Sequence, residues 1–255
     1  MINLTLAPAS LPAGMRVYVI GDVHGCAARL RALHDQISRD IAARPVGEPV
    51  VVHLGDYIDR GPDSADVIEA LLHPFPNGAG SPGPNETNSR EANSRETHPR
   101  VINLTGNHEE MMLTALADRD AAPHWLANGG NIALESWGVP LRTRARDWEA
   151  AMPPRHLAFL RGLKLMHAAG GYLFVHAGMR PAVPLASQSR LDMLWIREPF
   201  LSFDGAFPAV VVHGHTPVSE PVIRHNRIGI DTGACMGGAL TCVALEADRM
   251  GFLAS

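Results

Sequence analysis

The sequence predicts an α/β fold organised around one sheet edge, and three observations carry that reading. Short apolar, β-branched runs alternate along the chain with stretches of helical period. Five of those runs end in small polar clusters: GDVHG at 21–25, GDYIDRG at 55–61, GNHE at 106–109, HAG at 176–178 and HGHT at 213–216. The clusters stand one to a few residues past their strands. Strand ends converge on one edge of such a sheet, where ligands bind, however far apart they lie in sequence.

Residues 1–15 read as an irregular lead-in ended by Pro12 and Gly14. Residues 16–20, RVYVI, form the first strand. A helix follows, with Leu30, Leu33, Ile37 and Ile41 on one face and charges between them. Residues 50–54, VVVHL, read as a strand packed on both faces and ended by Gly55. Residues 65–72 form a second helix, with Asp63 or Ser64 as its N-cap. Residues 74–99 differ in kind. They are rich in Pro, Gly, Asn, Ser and Glu, and carry a near-tandem copy, NSREANSRE, at 88–96. With hardly any apolar residues, burial cannot offset their ordering entropy, so they read as a mobile surface insertion in a single domain spanning 1–255.

Residues 100–104, RVINL, are the third strand, and 108–117 continue as a helix. Between 120 and 165 lie short helical pieces broken by Pro and Gly-Gly, whose Trp and Leu positions read as core. Strands follow at 172–175 and 210–212, with a helix at 189–196 between them. Segments 227–231, 240–245 and 250–254 complete a β-rich end.

Composition excludes several classes. The chain of 255 residues has 46% apolar and 19% charged residues, ordinary for a soluble enzyme. Its net charge of −4 gives no basic field for nucleic acid. Three Cys, at 26, 235 and 242, form no CxxC pair. This predicts neither a disulfide framework nor a structural zinc site, and it points to the reducing cytoplasm. No basic segment precedes an apolar core at the N-terminus, and no stretch is long and apolar enough to span a membrane. Thirteen His exceed what packing needs and direct attention to metal or acid–base chemistry.

The clusters suit two divalent transition metals. Asp22-x-His24 offers an oxygen and a nitrogen to one ion, and Asp56 can bridge two ions through its two oxygens. Asn107, His176 and His215 give the second ion a neutral oxygen and two imidazoles. Mixed Asp, Asn and His donors fit manganese, iron or zinc, and fit calcium poorly. Only two of these ligands are anionic, so the pair stays positive and favours an anionic substrate such as phosphate. Two such ions can share a water and present it as hydroxide for in-line attack on phosphorus. His108, beside a ligand, can protonate the leaving oxygen, with Asp59 to orient it. Arg60 can clamp phosphate oxygens bidentately. His213 reads as a structural or supporting residue, and Cys235 as a small packing residue near the site.

These motifs together resemble the signature of the PPP-type metallophosphoesterases, within the calcineurin-like superfamily. WLANGG at 125–130, LWIRE at 194–198 and DTGA at 231–234 resemble its bacterial branch. The resemblance covers about residues 16–245, apart from the insertion. It implies a four-layer α/β/β/α sandwich of two mixed sheets with a dimetal site at their carboxyl edge. One ion would take Asp22, His24 and Asp56; the other would take Asp56, Asn107, His176 and His215. It implies His108 as general acid, Asp59 as its partner, Arg60 as a phosphate-binding residue and Arg197 as the second, which spacing alone does not reveal. The short tail, DTGACMGGALTCVALE, lacks the substrate-groove segments of the eukaryotic enzymes.

The expected activity is hydrolysis of phosphomonoesters on a phosphoprotein or phosphopeptide, phosphoserine and phosphothreonine foremost, with manganese as the first metal. The intact Asp59-Arg60 pair favours monoesters. The alternative is a hydrolase of dinucleoside polyphosphates such as diadenosine tetraphosphate, or of another small phosphate ester. Related enzymes of that kind share GDVHG and GNH but typically lack the Asp-Arg pair.

Overall fold

The computed structural model describes residues 2–75, 98–140 and 142–255. Its N-terminal part holds β1 (Thr5–Leu6), β2 (Met15–Ile20), α1 (Ala27–Ala43), β3 (Glu48–His53), α2 (Ser64–Leu72), β4 (Arg100–Asn103) and α3 (Asn107–Ala117). Four short helices follow: α4 (Ala122–Trp125), α5 (Asn131–Ser136), α6 (Trp148–Ala151) and α7 (Pro154–Arg161). The rest comprises β5 (Met166–Ala169), β6 (Tyr172–Val175), α8 (Arg190–Trp195), β7 (Val210–His213), β8 (Val222–Ile223), β9 (Arg227–Gly229), β10 (Thr241–Glu246) and β11 (Arg249–Ala254).

The strands form two mixed sheets. One has the order β1-β11-β10-β2-β3-β4, with β2, β3 and β4 parallel; the other has the order β5-β6-β7-β9-β8, with β6, β7 and β9 parallel. Side chains alternate along a strand, and that alternation builds the layers. Val17, Val19, Val50 and Val52 leave the first sheet on one face and meet Phe174, Val212 and Ile228 of the second in a common core. Tyr18, Ile20 and Val51 leave by the opposite face and pack under α1, α2, α3 and α7. The far face of the second sheet, with Leu173, Val175 and Val211, is covered by Met193 of α8 and by Ile196 and Phe200 of the segment after it. The result is the expected four-layer α/β/β/α sandwich, its last layer thin.

The apolar stripe of α1 lies where its period predicts. Leu30, Leu33 and Ile37 are wholly buried. Leu33→Ala is expected to cost about 2–5 kcal/mol, the usual range for a deep leucine truncation. Urea denaturation should show it as a lowered midpoint with an unchanged slope; an unmoved midpoint would contradict the packing of α1 on the sheet.

Three details depart from the sequence expectations. The lead-in is not wholly irregular, because Thr5 and Leu6 pair with Met250 and Arg249 as an edge strand. β5 and β8 were not anticipated; their patterns are weak because both are short edge strands. Neither Asp63 nor Ser64 caps α2 with its side chain. The Ser64 hydroxyl instead accepts the backbone N–H of Asp59, 3.0 Å away. The insertion predicted at 74–99 falls outside the described residues except at its ends. Among the described residues, no helix is long and apolar enough to cross a membrane.

Candidate metal centre

The predicted clusters meet at the carboxyl ends of parallel strands. Asp22 and His24 follow β2, Asp56 follows β3, and Asn107 follows β4 and opens α3. His176 follows β6 and His215 follows β7. All six are buried. The loops carrying them are held in strained turns. Among the described residues, five of the seven non-glycine residues with positive φ are His24, Asp56, Asp59, Arg60 and His215. Such backbone costs on the order of 1 kcal/mol or more per residue and persists where the surroundings impose it, most often at functional sites.

Glu109 is one agent of that imposition. Its carboxylate accepts N–H bonds from Asp56 (2.9 Å), Tyr57 (2.7 Å) and Gly106 (2.8 Å), tying the Asp56 loop to the Asn107 loop. The two loops touch closely. A Cβ on Gly106 would meet Asp56 Oδ1 at 2.1 Å, so glycine is required there. Asp56 Oδ1 also accepts the N–H of His108 at 3.1 Å.

The donor set fits divalent cations. His24 donates its Nδ1–H to the Ile58 carbonyl (2.9 Å), and His176 donates its own to the Leu54 carbonyl (3.1 Å). A carbonyl can only accept, so each ring turns a lone pair inward at Nε2. His176 Nε2 then lies 2.9 Å from Asn107 Oδ1 and 3.4 Å from Asp56 Oδ1, and His24 Nε2 lies 3.4 Å from Asp56 Oδ2. His215 brings its Nδ1 to 2.9 Å from Asn107 Oδ1. At His24 and His176, acceptors facing acceptors at such distances are reconciled by a cation. Among the described residues, two groups have ligand atoms within 4.8 Å of one another: His24, Asp56 and His108, and Asp56, His176 and His215. Asp56 is common to both. Asp22 stands beside them, its Oδ2 accepting the His215 N–H at 2.9 Å while its buried Oδ1 has no partner.

Charge points the same way. Four carboxylates, those of Asp22, Asp56, Glu109 and Asp231, are buried together. Burial, and then the charges of Asp231 and Asp56, hold Asp22 well above its ordinary value. Burial pushes Asp231 up to about 6. Bound cations would relieve this repulsion.

The imidazoles divide into two kinds. Burial pushes His24 and His215 down to about 3 and also lowers His176, which keeps them in the neutral form that ligates metal. His108 moves the other way. Burial opposes its charge, but Asp56 and Asp59 outweigh it and raise the ring above its ordinary value. Its Nδ1 is 2.7 Å from Asp59 Oδ2, while its buried Nε2 has no partner. Burial raises Asp59 against the pull of His108 and Trp125, so the dyad holds its shared proton firmly.

The two arginines are exposed. Arg60 Nη1 reaches 3.0 Å from His24 Nε2, and Arg197 lies within the electrostatic reach of His215 and Asp231. His213 stays outside the cluster. It donates from Nδ1 to the Gly214 carbonyl and packs edge-on against Phe200. Cys235 is half-buried within the field of Arg60. Three residues of the site had no role in the sequence reading: Asp231, Glu109 and Trp125. Asp231 follows β9 and so carried the same strand-end signal as the others. Trp125, read as core, is buried yet donates its indole N–H to Asp59.

The model of a family described as calcineurin-like phosphoesterase matches residues 15–239. The chain is 30% identical to the serine/threonine-protein phosphatase 1 of Salmonella typhimurium, over 90% of this chain and 92% of that one. It is 24% identical to an asymmetrical bis(5'-nucleosyl)-tetraphosphatase PrpE of a Geobacillus species, over 89% of each. In fold it is similar to a cold-active protein-tyrosine phosphatase of a psychrophilic Shewanella species, with a TM-score of 0.59, 16% identity and coverage of 96% of this chain and 83% of that one.

Proposed function

The chain belongs to the calcineurin-like phosphoesterase family, and from that premise we propose that it is a dimetal phosphomonoesterase acting on phosphoproteins, phosphoserine and phosphothreonine foremost. One observation carries the reading. Beside three imidazoles kept neutral by burial stands a fourth, His108, whose proton is held by Asp59 2.7 Å away. A serine or threonine alkoxide is a poor leaving group and needs such a proton donor. The likeness to a bacterial serine/threonine phosphatase along nine-tenths of the chain supports the same substrate class.

In this reading Asp22, His24 and Asp56 would hold one ion, and Asp56, Asn107, His176 and His215 would hold the other. Manganese is the first choice, with iron and zinc as alternatives. When bound, the ions supply charge neutralisation at phosphorus and activate a water. The chain's own residues do the rest. Arg60 and Arg197 bind and orient the phosphoryl oxygens. His108 gives the proton at Nε2 to the leaving oxygen, and Asp59 stabilises the ring's charge. The three thiols are free, which supports a reducing, cytoplasmic setting.

The second reading, hydrolysis of a dinucleoside polyphosphate, is favoured by the PrpE relatives, whose likeness spans about nine-tenths of both chains. A substrate panel with manganese, iron and zinc supplied separately distinguishes the two. Faster turnover of a phosphoserine peptide than of diadenosine tetraphosphate is expected. Much faster cleavage of the dinucleotide would overturn the first reading in favour of the second.

A further inference from the structure

We propose that Trp125 is a positioning residue for the proton donor: its indole N–H, forked across both oxygens of Asp59, aims that carboxylate at His108. The inference rests on the reading of His108 as general acid and goes beyond it.

Asp59 has no exposed surface, so its carboxylate depends on protein partners alone. It has two. His108 Nδ1 lies 2.7 Å from Oδ2, and Trp125 Nε1 lies 3.1 Å from Oδ1 and 3.0 Å from Oδ2. A single bond to His108 would leave the carboxylate free to rotate about its Cβ–Cγ bond. The forked donor pins the carboxylate in the orientation that meets the imidazole.

The indole itself is held on several sides. It is wholly buried and stands edge-on to Trp148, with ring centroids 5.6 Å apart. α4 ends at Trp125, and the chain then kinks through a turn at Leu126–Gly130, where Gly129 leaves helical geometry with a φ of 104°. Here the turn lays Gly130 flat on the indole, where a Cβ would come within 2.6 Å of the ring. It also lays Gly129 against Arg60, where a Cβ would come within 2.7 Å of the backbone N. One turn therefore seats the tryptophan and abuts the arginine proposed to bind phosphate. A buried indole N–H needs an acceptor in any case; what bears on function is that the acceptor here is the one carboxylate that also meets His108.

The test is leaving-group dependence, because a proton donor matters most when the leaving group is poor. Phenyl phosphate and p-nitrophenyl phosphate are compared in the wild type, in Trp125→Phe, and in a protein with benzothienylalanine at 125, which keeps the indole shape without the N–H. His108→Asn serves as control. In both position-125 variants the ratio of phenyl to p-nitrophenyl turnover should fall about 10-fold, the worth of one hydrogen bond to a charged group. Metal content and KM should stay as in the wild type. In the metal-free protein, the low-field Nδ1 proton resonance of His108 should shift or broaden. Equal losses on both substrates would reduce Trp125 to a packing residue and overturn the proposal. So would an unchanged ratio at position 125 when His108→Asn lowers it. An unchanged ratio in His108→Asn itself would remove the acid role, and the proposal would fall with it.

Discussion

Asp56→Asn protein is expected to lose most of its divalent metal, measured by elemental analysis after purification. Asp56 is the one residue common to both groups of ligand atoms. Its oxygens lie 3.4 Å from His176 Nε2 on one side and 3.4 Å from His24 Nε2 on the other. Asparagine would offer one neutral oxygen and turn an N–H₂ donor toward the other ion. Loss of a supporting group beyond the ligands costs about 10–100-fold in metal affinity. Loss of a bridging ligand should cost more and affect both ions together. Hydrolysis should fall with occupancy. Full occupancy in Asp56→Asn would exclude Asp56 as the bridge.

His108→Asn is expected to keep both metals while hydrolysis slows by about 10²–10⁴-fold, the usual contribution of a general acid. The comparison is informative because His108 also lies within ligand reach of His24 and Asp56. Two facts favour the acid. Its Nδ1 is engaged by Asp59, and its environment raises its pKa while those of His24, His176 and His215 are lowered. Groups with opposed shifts in one site divide into different roles. A ligand would instead reveal itself as metal lost from His108→Asn, and wild-type turnover would remove His108 from both roles.

Much of this arrangement was legible along the chain. Each predicted ligand follows an apolar run within a few residues, because strand ends in such sheets turn at one edge and glycine permits the turn. The buried runs VYVI and VVV could be read from their β-branched composition, and the α1 stripe from its period. Less legible features had weak local signals. β5 and β8 are short edge strands, and the Thr5–Leu6 strand takes its pairing from residues almost a full chain length away. A side-chain cap by Asp63 or Ser64 does not form, because Asp and Ser at a helix start carry the same signature whether they bond their own helix or, as the Ser64 hydroxyl does, a neighbouring loop.

Sequence alone determined which residue types gather at the site, in what order, and on which strand ends, because those depend on local period and turn chemistry. It also determined the family, since five spaced motifs carry more information than any one of them. Only the tertiary structure decided which imidazoles burial shifts down and which one its neighbours shift up. That depends on burial and on neighbours far apart in sequence, such as Asp59 beside His108. It alone tied in Glu109 and Trp125, which bond Asp56 and Asp59 across loops, and placed Asp231, legible as a strand end, beside Asp22. Hydrogen bonds and electrostatic fields act through space, whereas periodicity records only which way a side chain faces.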